Sequence, residues 1–129
     1  MSKPYAEVIG DPIAQSKSPV IHGLWLGLLG VDADYRRCHV TADGLPAYLA
    51  ERRGDVLWRG CNVTMPHKQA IMPLLDRIDP EAARIGAVNT VVREADGTLT
   101  GYNTDAPGFL EPVQPLLGDE PYRFAYVIG

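Results

Sequence analysis

The sequence has only two cysteines, Cys38 and Cys61, in separate apolar segments. That excludes a disulfide framework, and no C-x-x-C spacing marks a zinc or thiol-redox site. Both read as buried free thiols. No apolar run approaches the ~20 residues that a membrane span requires. The opening MSKPYAEVIG lacks the apolar core and small-residue cleavage site of a secretory signal, so the expectation is a cytoplasmic protein with no membrane partner. Neither sign of charge dominates: the net charge is -4, with acids and bases interspersed, which leaves no basic surface for nucleic acid. Internal repeats and low-complexity tracts are missing as well. What is present, 129 residues with 46% hydrophobic and 22% charged side chains, suffices for one soluble domain with a real core.

Strand and helix patterns alternate along the chain. Period-two or continuous apolar runs predict strands over 5–9, 35–40 and 56–63. Helical spacing predicts helices over 19–29, where Val20, Leu24 and Leu28 form a stripe beside Ile21, Trp25 and Leu29, and over 43–53, with Leu45, Tyr48 and Leu49 inward and Gly54 as the stop. A short helix is expected over 66–75 and another over 82–86. The rhythm then changes: 87–93 and 99–103 read as strands joined through Asp96-Gly97, a strong hairpin signal. A helix over about 107–117 follows, then a polar break and an apolar strand over 124–128. The fold class expected is α/β, a mostly parallel mixed sheet with a late antiparallel hairpin and helices on both faces.

Open α/β sheets bind ligands outside the carboxyl ends of their strands, and three polar clusters fall at such ends. In GDPIAQSKSPVIHG, Ser16 and Ser18 precede a helix start, where hydroxyls and the helix dipole suit an anion. Helix capping alone accounts for Ser18, with Pro19 behind it, but not for Ser16. In NVTMPHK, the expected helix is capped by Thr64 or Met65 and puts Lys68 in the first turn. A cation there opposes the dipole by ~0.3–1 kcal/mol. A residue in locally the wrong place is a functional hint, and it fits proton transfer; an exposed lysine that tolerates the cost is the alternative. His67 reads as a surface histidine. In GAVNTVV and GYNTDAPGF, Asn89 lies within a strand-like run, where an amide needs committed hydrogen bonds. Asp105 sits where a helix cap belongs, although a capping carboxylate can also point at a ligand. A lysine and an aspartate across a cleft would form a proton-handling site.

Taken together, VIGDPIAQSKSPVIHG, GCNVTMPHK, IGAVNTVV and GYNTDAPGF resemble the substrate-binding domain of the shikimate dehydrogenases, in this order and over nearly the whole chain. That resemblance implies NADP(H)-dependent interconversion of 3-dehydroshikimate and shikimate in aromatic amino-acid biosynthesis, with NADP as cofactor and the small molecule shikimate or 3-dehydroshikimate as the substrate bound. It implies that Ser16 and Ser18 hold the substrate carboxylate and that Thr64 and Asn89 bind ring hydroxyls. Lys68 and Asp105 would bracket the hydroxyl that is oxidised, one of them, most often the lysine, shuttling its proton. Asn62, Asn103 and Thr104 would orient the loops. Two departures stand out: Gly23 follows the motif's His22 where the family usually has asparagine, and Gln15 replaces a frequent histidine at the rim of the carboxylate seat.

In the family, VIG opens the glycine-rich turn of the NADP domain. The expected division is therefore a shikimate-binding domain over 1–118, then a linker and first strand of the NADP domain over 119–129, with Gly129 starting the cofactor turn. The other readings are a quinate/shikimate dehydrogenase and a non-catalytic hydroxy-carboxylate binding module. Retention of the Ser-Lys-Ser arrangement leans toward shikimate, and retention of both Lys68 and Asp105 counts against the binding module.

Overall fold

The computed structural model describes residues 2–118 and 125–128. Strands β1 (Tyr5–Gly10), β2 (Asp34–His39), β3 (Trp58–Val63), β4 (Arg77–Ile78), β5 (Thr90–Arg93) and β6 (Leu99–Tyr102) form one six-stranded sheet in the order β2-β1-β3-β5-β6-β4. The pairs β1–β2, β1–β3 and β4–β6 are parallel, whereas β3–β5 and β5–β6 are antiparallel. The expected α/β class and late hairpin are both present. Gly97 takes φ 86° at the hairpin, a left-handed conformation that costs glycine nothing.

Alternation along β1 sends Tyr5, Glu7 and Ile9 to one face and Ala6 and Val8 to the other. On the first face, α2 (Leu45–Gly54) buries Leu45, Tyr48 and Leu49 as expected, in a core with Trp58, Cys61, Ile71, Val88 and Leu99. Burial raises the Cys61 thiol well above its ordinary range, and both cysteines are free. Cys38 is only half-buried, since β2 is a sheet edge. Glu7, 3% exposed, is unexpected on this apolar face. It accepts from Tyr48 Oη at 2.6 Å and from Arg52 Nε and Nη2 at 2.9 and 3.0 Å, so its charge is paired and hydrogen-bonded as burial demands.

The opposite face meets α1 (Ser18–Leu29). Here the expected stripe is not the packing face: Val20, Leu24, Leu28, Ile21, Trp25 and Leu29 are all exposed, whereas His22 and Leu26 are half-buried. A helix with almost no polar face gives the periodicity nothing with which to choose a buried side.

Three further expectations are corrected. The segment 66–75 is a string of turns ending in a single 3₁₀ turn at Met72–Leu74. His67 is fully buried, with Nε2 2.5 Å from the Val40 carbonyl, and the Lys68 carbonyl accepts from Val88 N–H at 2.8 Å. The second bond uses a backbone carbonyl that a helix needs and the first fixes the side chain in the core, so tertiary contacts override the local pattern. A carbonyl can only accept, so Nε2 carries the His67 proton. The short strand β4 had no signal of its own, being two residues long. Residues Ala125–Ile128 have no regular structure and are exposed; no strand of the sheet pairs with them, and an apolar run without a ladder is not a strand. Phe124 and Gly129 lie outside the described residues. Among the described residues, no helix is long and apolar enough to cross a membrane.

Candidate active site

The topology gathers the polar clusters at one edge. β1 and β3 run parallel, so Gly10 and Val63 end together. β5 is antiparallel to β3, so its start lies there too, with Asn62 opposite Thr90. β6 reverses again, bringing Asn103, Thr104 and Asp105 to the same edge. The chain also leaves β1 for β2 on one side and β3 on the other, a reversal that opens a crevice.

A pocket of about 380 Å³ occupies that crevice, and its wall includes Ser18, Asn62, Thr64, Lys68, Asn89, Thr104 and Asp105. Seven of the residues singled out in the sequence thus converge on one cavity. Ser16 and Asn103 do not line it; each is one or two residues from a residue that does. A larger pocket of about 580 Å³ adjoins it beneath α1 and shares His22 and Asn62.

The Lys68 Nζ lies 2.6 Å from Asp105 Oδ2. Neither side chain is deeply buried, at 35% and 55% exposure, so water and a ligand can both reach the pair. Because 66–75 is not helical, Lys68 opposes no helix dipole there; its placement is set by tight turns and by the Val88–Lys68 bond. Asp105 is not the cap of α4 (Asp105–Leu117). Asn103 takes that work: its Oδ1 accepts from the N–H groups of Asp105 and Ala106 at 3.0 and 3.1 Å, while its Nδ2 donates to the Ala87 carbonyl at 3.1 Å. The aspartate carboxylate is thereby left for Lys68.

Ser18 does not cap α1 either. Lys17 occupies the cap position without a side-chain bond, and Ser16 Oγ accepts from Ser18 N–H at 3.3 Å. Ser18 lines the pocket, and among the described residues its hydroxyl has no hydrogen-bond partner. The serine loop is tied down from outside: Arg37 donates from Nε and Nη2 to the Ser16 carbonyl at 2.9 and 2.6 Å, and His22 Nδ1 bonds the Ser18 carbonyl at 3.0 Å. Thr64 is held from below by Gly10, where an added Cβ would come 2.5 Å from Thr64 Cγ2. Gln15 only bonds the Pro12 carbonyl at 3.2 Å, and a Cβ at Gly23 would touch nothing; neither departure reaches the pocket.

Asn89 immediately precedes β5 instead of lying within it, is 8% exposed, and has its amide committed. Oδ1 accepts from Thr104 N–H at 2.9 Å and Nδ2 donates to Thr104 Oγ1 at 2.8 Å. Four contributors escaped the sequence reading: His22, Tyr35, Arg37 and Thr90. His22 and Thr90 lie inside quoted motifs, while Tyr35 and Arg37 sit on a strand whose pattern gives no hint of what lies across the sheet.

Hydroxyl, amide, lysine and carboxylate groups at the mouth of an open α/β sheet make a pocket whose chemistry suits a small polar molecule. The sequence places it further. The shikimate dehydrogenase substrate binding domain matches residues 8–91, and the chain belongs to that family. It is 63% identical over 115 residues, 89% of its length, to a shikimate dehydrogenase (NADP(+)) from Sphingopyxis alaskensis, covering 42% of that relative. The shikimate 5-dehydrogenase from Thermus thermophilus, solved in complex with NADP(H) and shikimate, matches with a TM-score of 0.80 and 44% identity over 87% of this chain and 42% of that one. A ligand-free 5-ketofructose reductase from a Gluconobacter species matches with a TM-score of 0.82 and 32% identity, over 90% and 41%. The chain thus spans about 42% of that curated relative's length. Since one fold serves reductases named for different substrates, the choice of substrate rests on the site and not on the sheet.

Proposed function

We propose that this chain is the shikimate-binding part of an NADP-dependent shikimate dehydrogenase, a cytoplasmic enzyme interconverting 3-dehydroshikimate and shikimate. The observation that carries the reading is the 2.6 Å Lys68–Asp105 pair on the wall of a pocket that also holds the free Ser18 hydroxyl and Thr64. Ser16 and Ser18 bind the carboxylate at the start of α1, where the helix dipole favours an anion. Thr64 and Asn89 bind ring hydroxyls. Lys68, as the neutral amine, takes the proton from the hydroxyl being oxidised, and Asp105 orients the amine and stabilises the ammonium group that forms. Asn62, Asn103 and Thr104 support these positions.

NADP supplies the hydride acceptor when bound. The described residues do not form a dinucleotide cradle: the turn after β1 carries Asp11, Pro12 and the serines, not a run of glycines. We assign residues 1–118 to substrate binding and 119–129 to the start of the NADP domain, with Gly129 opening its glycine-rich turn. The chain alone then binds without turning over.

The test is a titration with shikimate followed by amide NMR, with quinate as comparator and Lys68→Ala as control. Saturable shifts at Ser16, Ser18, Thr64 and Asp105, weakened by the substitution, are expected. A folded sample without such shifts would show that this part does not hold the seat. Equal response to quinate would favour the quinate/shikimate reading.

A further inference from the structure

Histidine is an unexpected occupant of the core beside the pocket. His67 is 0% exposed, and among the described residues its Nδ1 has no hydrogen-bond partner. A buried acceptor left unpaired costs stability that a phenylalanine of similar shape would not lose. What phenylalanine does not supply is the ring N–H that Nε2 gives to the Val40 carbonyl.

The backbone of residue 67 is engaged as well. Its N–H donates to the Thr64 carbonyl at 3.1 Å, and its carbonyl accepts from Ile71 N–H at 3.0 Å. Both bonds lie within 64–71, so they fix the shape of that segment and travel with it. The ring bond reaches a different element. Val40 directly follows β2, and its own N–H donates to the Gly10 carbonyl at 3.2 Å. Among the described residues, His67 and Lys68 are the side chains of 64–71 that hydrogen-bond outside the segment.

The two neighbours part at this point of the chain. His67 enters the core, whereas Lys68 lines the pocket and meets Asp105 at 2.6 Å. The Lys68 carbonyl accepts from Val88 N–H at 2.8 Å. A tie at that carbonyl alone lets the chain pivot about it. A second tie one residue earlier, at the His67 ring, fixes the direction in which the Lys68 side chain leaves the backbone.

We infer that His67 is a positioning residue: by donating to the Val40 carbonyl it sets where the Lys68 amine stands relative to Asp105 and the substrate. It does not line the pocket and touches no reacting atom. The kinetic part of this inference rests on the shikimate reading; the anchoring of Lys68 does not.

The experiment compares substitutions at residue 67 in the intact dehydrogenase. His67→Phe keeps a ring and removes the donor, so kcat for shikimate falls about tenfold to a hundredfold, the scale of an ångström-sized misplacement. KM stays within about threefold, because the serines of the carboxylate seat lie on a separate loop. His67→Gln places an amide N–H at the reach of Nε2 and recovers kcat to within about threefold of wild type. His67→Asn has the same amide on a shorter stem and recovers nothing. The Gln–Asn comparison carries the test if the phenylalanine variant does not fold. In a Lys68→Met background, where no amine is left to place, His67→Asn changes residual kcat by less than about twofold. Equal activity of the Gln and Asn enzymes, a loss confined to KM, or effects that multiply with those of Lys68→Met overturn the inference. A second readout needs no turnover. Nitrogen–proton NMR of the imidazole in this chain should show the His67 proton on Nε2. The Asp105 amide should shift on His67→Asn and return toward its wild-type position on His67→Gln. A proton on Nδ1, or an Asp105 amide indifferent to both substitutions, overturns the anchoring. The NMR pattern without shikimate turnover in the intact enzyme supports the anchoring and overturns only the functional reading.

Discussion

Replacing Lys68 with methionine tests the proposed chemistry, because the geometry separates catalytic loss from structural loss. Methionine keeps the length of the side chain and removes the ammonium. The partner left behind, Asp105, is 55% exposed, so water replaces the lost ion and no charge is stranded. A pair this open contributes about 0–1 kcal/mol to stability. A positioned acid–base group contributes ~10²–10⁴-fold to rate, or about 2.7–5.4 kcal/mol of barrier. Lys68→Met in the intact enzyme should therefore lower kcat by at least about a hundredfold while the urea midpoint barely moves. Initial rates of NADP+ reduction at saturating shikimate measure the first, and equilibrium unfolding the second. Asp105→Asn should act on the same step, and the double variant should lose little beyond the worse single variant, since groups that work as a unit are not additive. A kcat for Lys68→Met within about tenfold of wild type would refute the proton role. A stability loss beyond about 3 kcal/mol would show instead that the pair is structural.

Asn103→Ala removes the acceptor that caps α4 and should cost about 1 kcal/mol. Amide exchange at Asp105 and Ala106 should accelerate, and unchanged exchange would show that the cap lies elsewhere. Asp76 accepts from Arg53 Nη1 at 2.7 Å and from Leu99 N–H at 2.8 Å, and the Arg53 guanidinium, then the Leu99 N–H, hold its carboxyl below the usual range. A depressed folded value stabilises the fold above the unfolded pKa of about 3.9, and this is lost as pH falls through the folded value. Asp76→Asn should therefore lower the urea midpoint at neutral pH and have a diminishing effect as pH falls below the unfolded value of about 3.9; an equal loss in both ranges would mean the charge is irrelevant.

Much of the fold was legible because the signals were local. Asp96-Gly97 announces the hairpin with its own φ/ψ needs, and Leu45, Tyr48 and Leu49 mark the inner face of α2 by spacing alone. Misreadings arose where a long-range partner decided the outcome. Pro66 promises a helix start, but burial of His67 against Val40 and capture of the Lys68 carbonyl by Val88 preclude it. Asp105 and Ser18 occupy positions typical of caps, yet Asn103 and Ser16 take over those local hydrogen bonds and leave the nominal caps free for the pocket. Val20, Leu24 and Leu28 follow a helical period, but on a helix apolar nearly all round the period names no inner side.

The sequence by itself determined which chemistry is available: the serines, the lysine, the aspartate and the amides, each beside a strand end or turn defined by glycine and proline. Those are local properties of side chains and backbone preferences. Only the tertiary structure decided which of these groups meet. The antiparallel insertion of β5 between β3 and β6 brings residue 68 within 2.6 Å of residue 105. It also puts Thr104 N–H 2.9 Å from Asn89 Oδ1. Which groups meet is a property of neighbours across the sheet, and no single stretch of sequence carries it.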